Sequence, residues 1–126
     1  MIPKFRAWDK EHDEMLYPDD VDKIYFEITV DGIVTYDMRY ILPYDDIPPY
    51  LDTVIMQSTG LTDVNGKEIF EGDIVKYWEN IGYIEFYQGS WVINWNDGSL
   101  FDLYDNDNNL EVLGNIHEHP ELLENI

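Results

Sequence analysis

The segment from Val54 to Glu79 constrains the fold of this chain more than any other. It reads VIMQSTGLTDVNGKEIFEGDIVKYWE, which is a short apolar run, a Gly-bounded polar loop with an Asn-Gly turn, and a second apolar run. Asn-Gly pairs favour tight turns between antiparallel strands. We predict a strand over Val54 to Gln57, an ordered loop over Ser58 to Asp73, and a strand from Ile74 onward. No reacting group stands out in the segment, so it predicts a shape rather than an activity.

The remaining sequence continues this pattern of short strands. Aromatic and β-branched residues, which favour strands, make up the run KIYFEITV, and the Asp31-Gly32 pair after it predicts a hairpin turn. Gln88-Gly89 and Asp97-Gly98 are further turn signals. A proline at position 120 suits the first turn of a helix. The predicted strands are Lys4–Trp8, Met15–Tyr17, Lys23–Val30, Ile33–Leu42, Ile74–Trp78, Gly82–Tyr87, Ser90–Trp95 and Leu110–Ile116, followed by a short closing helix over Pro120–Asn125.

The strand pattern favours a mainly β fold with a minor α component. About five short, twisted strands in the second half suit a small barrel better than an open sheet, because closure removes exposed strand edges. Pro43 and the pair Pro48-Pro49 interrupt regular structure between the two halves. The stretch Asp45 to Asp52 is therefore predicted to connect two lobes.

The charge of the chain is strongly one-sided. It has 27 Asp plus Glu and 7 Lys plus Arg, which gives a net charge of −20. Binding to nucleic acid needs a basic stripe that releases counterions, and an anionic membrane surface needs the same. We therefore expect neither direct nucleic-acid binding nor membrane binding. The acidic side chains either serve solubility alone or bind a protein partner with a basic surface.

Cysteine is absent from the sequence, which excludes disulfides, thiolate nucleophiles and Cys-based zinc sites. No apolar run approaches the roughly 20 residues of a transmembrane helix, and the first residues lack the apolar core of a signal peptide. These features predict a soluble protein of the cytoplasm.

Three separated blocks give the chain a family resemblance. KFRAWD (Lys4 to Asp9), MQSTGLTDVNGKEIFEGDIVKY (Met56 to Tyr77) and EVLGNIHEHPELL (Glu111 to Leu123) resemble the YopX family of phage and prophage proteins. The resemblance implies a phage or prophage origin, with expression in the cytoplasm of a bacterial host. It also implies a C-terminal SH3-like barrel, placed at residues 53–126, and a smaller β-rich α+β N-terminal lobe at residues 1–52. It implies no activity, and no functional residues carry over from it.

The residues of these blocks have structural interpretations. Asn65-Gly66 suits positive φ in a tight turn, and Gly72 suits a sharp entry into a strand. Asp63 is predicted to accept backbone N–H bonds across its loop, as in an Asx turn. The alternative is a loop that recognises a partner.

Metal and catalytic motifs are weak. The acidic run from Asp105 to Asn109 resembles the start of an EF-hand loop, but Leu110 and Ile116 stand where Gly and a bidentate Glu are needed. His117 and His119 form an H-x-H that could hold zinc, on the condition that the strand continues to Pro120. No Ser lies in a nucleophile elbow, and no phosphate-binding loop is present. We expect no cofactor and no catalytic residue, and a metal-dependent hydrolase using the two histidines is kept as an alternative.

Aromatic residues offer the clearest candidate for binding. Trp and Tyr dominate interface hot spots, and neighbouring carboxylates would favour Arg or Lys on a partner. Part of this set is expected in the core and the remainder on the surface. The candidate partner-binding residues are Trp78, Tyr83, Tyr87, Trp91, Trp95, Asp97 and Asp102, with Glu85 and Tyr104 nearby.

The sequence therefore predicts a non-catalytic, acidic binding module for a basic protein, which would mimic DNA if its acids form a regular stripe. The alternative from a different class is a structural homo-oligomer paired through strand edges and aromatic residues.

Overall fold

The computed structural model describes residues 4–39, 49–105 and 109–124. The chain forms two compact units, Met1–Met56 and Gln57–Ile126. The boundary between the two lobes that the sequence predicted, between residues 52 and 53, stays a prediction. In chain order the elements are β1 (Phe5–Asp9), β2 (Glu14–Leu16), β3 (Ile24–Thr29), β4 (Gly32–Asp37), β5 (Thr53–Thr62), β6 (Glu68–Phe70), β7 (Asp73–Tyr77), β8 (Asn80–Tyr87), β9 (Ser90–Trp95), β10 (Leu100–Asp102), β11 (Glu111–Asn115) and α1 (Glu121–Glu124).

The first unit is built from two antiparallel hairpins. β1 pairs with β2, and β3 pairs with β4. The turn between β3 and β4 is Val30-Asp31, one position before the predicted Asp31-Gly32, because Gly32 pairs with Thr29 as the first residue of β4. A small apolar core forms where Ala7, Leu16 and Ile24 are fully buried. Strand β4 ends at Asp37, earlier than the predicted Leu42. Residues 40–48 lie outside the described residues, and they include the first four positions, 45–48, of the predicted connector.

The second unit contains a curved, antiparallel five-stranded sheet with the strand order β10-β9-β8-β7-β11. Seven buried residues form its core: Ile69, Val75, Ile84, Ile93, Trp95, Leu103 and Leu110. The helix α1 packs against β8 and lies within the predicted closing helix. The mainly β fold class is confirmed. The sheet is a half-barrel that is consistent with an SH3-like fold, and the SH3-like detail itself stays a prediction.

Two stretches differ from the sequence prediction. The predicted loop at Ser58 to Asp73 contains the end of β5 and all of β6. Gly60 explains the error, because it takes a φ of 81° within β5 at a register shift between Ser58 and Thr62, so the glycine forms an irregularity in a strand and does not end it. The short strand β10 was not predicted at all.

The predicted turns are better matched. Asn65-Gly66 lies in a turn, and Gly66 and Gly72 have positive φ. Gln88 and Gly89 both have positive φ between β8 and β9. In the described part of the chain, no helix is long and apolar enough to span a membrane.

Candidate binding surface

The register of the five-stranded sheet separates its side chains into two faces. Ile84 pairs with Ile93, and Phe86 pairs with Trp91, so these four side chains share one face. Ile84 and Ile93 are fully buried in the core cluster. This face is therefore the core side of the sheet.

The opposite side of β8, β9 and β10 is here called the outer face. Its side chains come from alternate residues of the three strands, and the register pairs them across the sheet. The outer face consists of Ile81, Tyr83, Glu85, Tyr87, Ser90, Val92, Asn94, Leu100 and Asp102. Tyr87, Leu100 and Asp102 are exposed, and Val92 is buried. The outer face thus combines phenol rings, carboxylates and one exposed leucine.

Asn94 fixes two of these side chains in place. Its Nδ2 donates to the hydroxyl of Tyr83 at 3.1 Å and to Oε1 of Glu85 at 3.3 Å. A shared donor restricts the rotamers of both partners before any ligand arrives, which lowers the entropy lost on binding. The amide therefore holds a ring and a carboxylate ready for a ligand.

The carboxylates of Glu85 and Asp102 give the outer face negative charge. Val92 lies opposite Glu85 on one side and opposite Asp102 on the other, so roughly 10 Å separates the two acidic positions across the sheet. No lysine or arginine follows Lys76 in the sequence. Lys76 lies in β7, at the margin of this face, with Glu111 as its cross-strand neighbour. Strands β8, β9 and β10 therefore carry acidic side chains and neither lysine nor arginine.

The structure brings together only part of the predicted set. Tyr83, Tyr87 and Asp102 share the outer face. Trp95 is 6% exposed and belongs to the core, which removes it from the surface. Trp91 is half-buried on the core side, where its ring meets Phe86 edge-on with centroids 5.0 Å apart.

Trp78 lies in the tight turn between β7 and β8, and Tyr104 lies in a turn after β10, so neither is on a strand as was predicted. The Trp78 side chain is 77% exposed, and its φ of 58° is unusual for a bulky residue. Strained backbone supporting an exposed tryptophan is a pattern found at functional sites.

Asp97 stabilises the turn between β9 and β10. Its Oδ1 accepts bonds from the Ser99 hydroxyl at 2.6 Å and from the Ser99 N–H at 2.9 Å, and these bonds lower the pKa of Asp97. The carboxylate is exposed and stays charged, but its contacts are those of an Asx turn.

His117 and His119 do not meet the condition for the zinc hypothesis, because β11 ends at Asn115. Nδ1 of His119 accepts the Asn115 N–H at 3.3 Å, and the imidazole occupies the space that a Cβ on Gly114 would need. Oδ1 of Asn115 accepts the N–H groups of His117 and Glu118 at 3.0 and 2.9 Å. In residues 4–39, 49–105 and 109–124, no three metal-ligating side chains cluster. Residues 106–108 of the acidic run lie outside those described.

A polar network in the first unit was missed by sequence reasoning. Arg39 contacts three carboxylates: Nε lies 3.0 Å from Asp37, one terminal nitrogen lies 2.7 Å from Glu14, and the other lies 3.6 Å from Asp9. Asp9 and Asp37 are buried. Nδ1 of His12 lies 2.8 Å from Asp9, and this hydrogen bond, together with the charge of Asp9, raises the pKa of His12. No spacing in the sequence marks these residues, because Arg39 and Glu14 are 25 positions apart.

Asp63 was predicted correctly. Its Oδ1 accepts the N–H groups of Asn65 and Lys67 at 2.9 and 2.8 Å, and its Oδ2 accepts that of Val112 at 2.9 Å. Burial alone would raise the pKa of Asp63, but the three backbone bonds lower it below its usual value. The residue joins two of the resembling blocks and therefore has a structural role.

The fold and this surface define a mainly β protein with an acidic, aromatic sheet face. The family model described as YopX protein matches residues 4–124. The chain belongs to the YopX family.

Two solved structures resemble it along nearly the whole length. The crystal structure of protein EF1440 from Enterococcus faecalis is 32% identical, covers 98% of this chain and 99% of its own, and has a TM-score of 0.59. The crystal structure of protein yopX from Bacillus subtilis is 20% identical, covers 94% and 96%, and has a TM-score of 0.66. The second likeness concerns the fold alone. The comparison with curated proteins found no match.

Proposed function

We propose that this protein is a phage or prophage accessory protein of the bacterial cytoplasm that binds a basic protein partner through the outer face and performs no catalysis. The observation that carries the proposal is the Asn94-positioned pair of Tyr83 and Glu85, in strands without any lysine or arginine. Family membership supports the phage or prophage origin.

The chemistry of the face favours Arg or Lys side chains. The aliphatic stem of either residue can pack on the exposed Leu100 side chain with its charged end near Asp102. At the opposite corner of the face, a stem can pack on the exposed Tyr87 ring with its charged end near Glu85. A net charge of −20 accelerates encounter with a cationic partner, and added salt reduces that steering. Trp78, exposed at the β7–β8 turn, is a second anchor of the kind that dominates hot spots.

The test uses two matched pairs of substitutions. Glu85→Gln with Asp102→Asn neutralises the outer face, whereas Glu118→Gln with Glu121→Gln removes the same charge from exposed positions elsewhere in the second unit. Each immobilised variant is used to capture proteins from a bacterial lysate at low and at high salt.

A partner retained by the wild type and by the control pair, and lost by the outer-face pair, supports the proposal. Equal retention by both pairs means that long-range charge alone acts, and this would overturn the site. Displacement of the partner by added duplex DNA would further support mimicry of DNA.

A homo-oligomer is the second candidate, because β10 is an edge strand and its Leu100 and Phe101 are exposed. Unpaired edges template association between chains. Light scattering tests it: a monomer at micromolar concentration excludes this candidate and leaves the first unaffected.

A further inference from the structure

Three tyrosines lie side by side across the second hairpin of the first unit. Tyr25 in β3 pairs with Tyr36 in β4, and Tyr36 forms a β-bridge with Tyr50. The ring centroids of Tyr25 and Tyr36 are 6.1 Å apart, and those of Tyr36 and Tyr50 are 5.0 Å apart in a stacked arrangement. We call these three residues the tyrosine row.

The backbone around Tyr50 is held firmly beside β4. The Asp37 N–H donates to the carbonyl of Pro49 at 2.8 Å, and the Leu51 N–H donates to that of Thr35 at 2.9 Å. Leu51 packs against the apolar core of the unit. Because side chains alternate along an extended chain, Tyr50 points away from that core. The row is therefore a fixed feature of the surface.

The rings remain largely in solvent. Tyr50 is 72% exposed and Tyr25 is 54% exposed. The Tyr25 ring meets Tyr36 in a tilted arrangement and is otherwise largely accessible to a ligand. A hydrogen bond between the Tyr36 and Tyr50 side chains raises the pKa of Tyr36, whose phenol is neutral at physiological pH in any case.

Carboxylates lie next to the row on the same side of the hairpin. Glu27 is two residues from Tyr25, and its charge acts on Tyr36. Asp52 is two residues from Tyr50 and already holds a cation, because Nζ of Lys10 lies 3.4 Å from its Oδ1. A ring face beside carboxylates attracts cations through both the ring quadrupole and direct charge.

We propose that Tyr25, at one end of the tyrosine row, and Glu27 form a second binding site, which takes the guanidinium of an arginine in an extended segment of a protein partner. Arginine fits better than lysine, since its planar group stacks on a ring while its N–H groups bond a carboxylate. The site lies on the first unit and goes beyond the proposed function, because it does not require the outer face.

The test is a titration of the isotopically labelled protein, followed by NMR at about 0.15 M salt. The probe is a short peptide of alternating arginine and glycine. Parallel titrations use the same peptide with lysine, and with citrulline, which keeps the shape of arginine without its charge. We expect the arginine peptide to shift the amide signals of the tyrosine row and Glu27, and to bind at least about threefold more tightly than the lysine peptide.

Variants localise the effect. Tyr25→Ala and Glu27→Gln should each weaken binding of the arginine peptide at least about threefold. Glu27→Gln leaves all three rings in place, so it remains informative if Tyr25→Ala perturbs the hairpin. Tyr104→Ala removes an exposed tyrosine from the second unit and should have no effect.

Equal affinity for the arginine and lysine peptides, comparable shifts with citrulline, or unchanged binding by Glu27→Gln would each overturn this site. The outer-face pair, Glu85→Gln with Asp102→Asn, should leave the shifts of the tyrosine row unchanged. Failure of the outer face and failure of this site are therefore separate outcomes.

Discussion

The carboxylate of Asp63 accepts the backbone N–H of Val112 at 2.9 Å, across 49 positions of sequence. The same side chain also accepts the N–H groups of Asn65 and Lys67. This one buried side chain therefore closes the local turn that contains Asn65 and holds that turn beside β11. The two sequence blocks that contain Asp63 and Val112 are linked by this physical contact.

Substitution of Asp63 should therefore be costly. Asp63→Ala leaves three backbone N–H groups without their acceptor, so we expect a loss of about 3 kcal/mol in the free energy of unfolding, measured with urea. Asp97→Ala is the matched control, because its Asx turn is exposed, and it should cost much less stability than Asp63→Ala. Similar losses for the two variants would contradict the role of Asp63.

The lowered pKa of Asp63 predicts a pH dependence with a definite sign. A carboxyl group with a native pKa below its unfolded value of 3.8 stabilises the fold above that value, and the contribution is lost as pH falls through the native pKa. The stability gap between wild type and Asp63→Ala should thus narrow on acidification below about pH 4. A constant gap between pH 6 and the acid transition would contradict this assignment.

Arg39 holds two buried carboxylates in the first unit. Arg39→Met leaves Asp37 without its cation and leaves Asp9 with His12 alone, and we expect a loss of about 3 kcal/mol in the free energy of unfolding. Lys10→Met breaks an exposed pair with Asp52 and should cost less than about 1 kcal/mol. Arg39→Lys should recover only part of the loss, because a lysine cannot contact Asp37 and Glu14 together in the same way.

His12 should titrate above its ordinary range. Its hydrogen bond to Asp9 raises its pKa above 6.5, so its contribution to stability is complete below that pH and is lost as pH rises through the native pKa. NMR titration of the imidazole protons, assigned by comparison with His12→Gln, measures the value directly. A native pKa at or below 6.5 would show that the contact with Asp9 does not persist in solution.

Gly114 and His119 should be coupled. A methyl group at position 114 would overlap the imidazole, so Gly114→Ala should destabilise the protein by about 1–3 kcal/mol. His119→Ala removes the obstacle, and the double variant should therefore lose less stability than the sum of the single losses. Thermal or urea unfolding of the four proteins gives the coupling. Strict additivity would mean that the ring moves aside without penalty.

Sodium chloride should stabilise the protein. With a net charge of −20, the folded chain repels itself, and the Debye length falls from about 30 Å at 0.01 M salt to about 8 Å at 0.15 M. Most of the rise in Tm should occur in that range. A Tm that is flat there, and rises only at molar salt, would indicate a general effect of the salt and not screening.

Local signals in the sequence predicted much of the fold. Gln88-Gly89 forms the predicted turn, and the Asp31-Gly32 signal marks a turn that lies one position earlier, at Val30-Asp31. The strands beside both turns follow. Gly60 misled the prediction because a glycine that ends a strand and one that forms an irregularity inside it have the same sequence signature. Strand β10 is too short to show alternation, and its pairing with β9 exists only in three dimensions.

The candidate surface was harder to predict. Trp91 and Trp95 lie on the same face of β9, yet only Trp95 lies deep in the core. The depth of each side chain depends on what covers its end of the sheet, and alternation along the strand does not reveal this. The Asn94 contacts could not be found from Tyr83 and Glu85 alone, since register decides which side chain stands opposite. The tyrosine row depends on Tyr50, whose bridge to Tyr36 has no local pattern.

The absence of cationic residues after Lys76 also determines which reagents can report on the second unit. Trypsin, which cleaves after lysine and arginine, has no cleavage site from Tyr77 to Ile126, so partial digestion gives no information on strands β8 to β11. Amine-reactive cross-linkers likewise find no lysine there. Capturing a partner on the outer face calls for carbodiimide coupling through Glu85 or Asp102, which would attach the partner's lysines directly at the proposed contact.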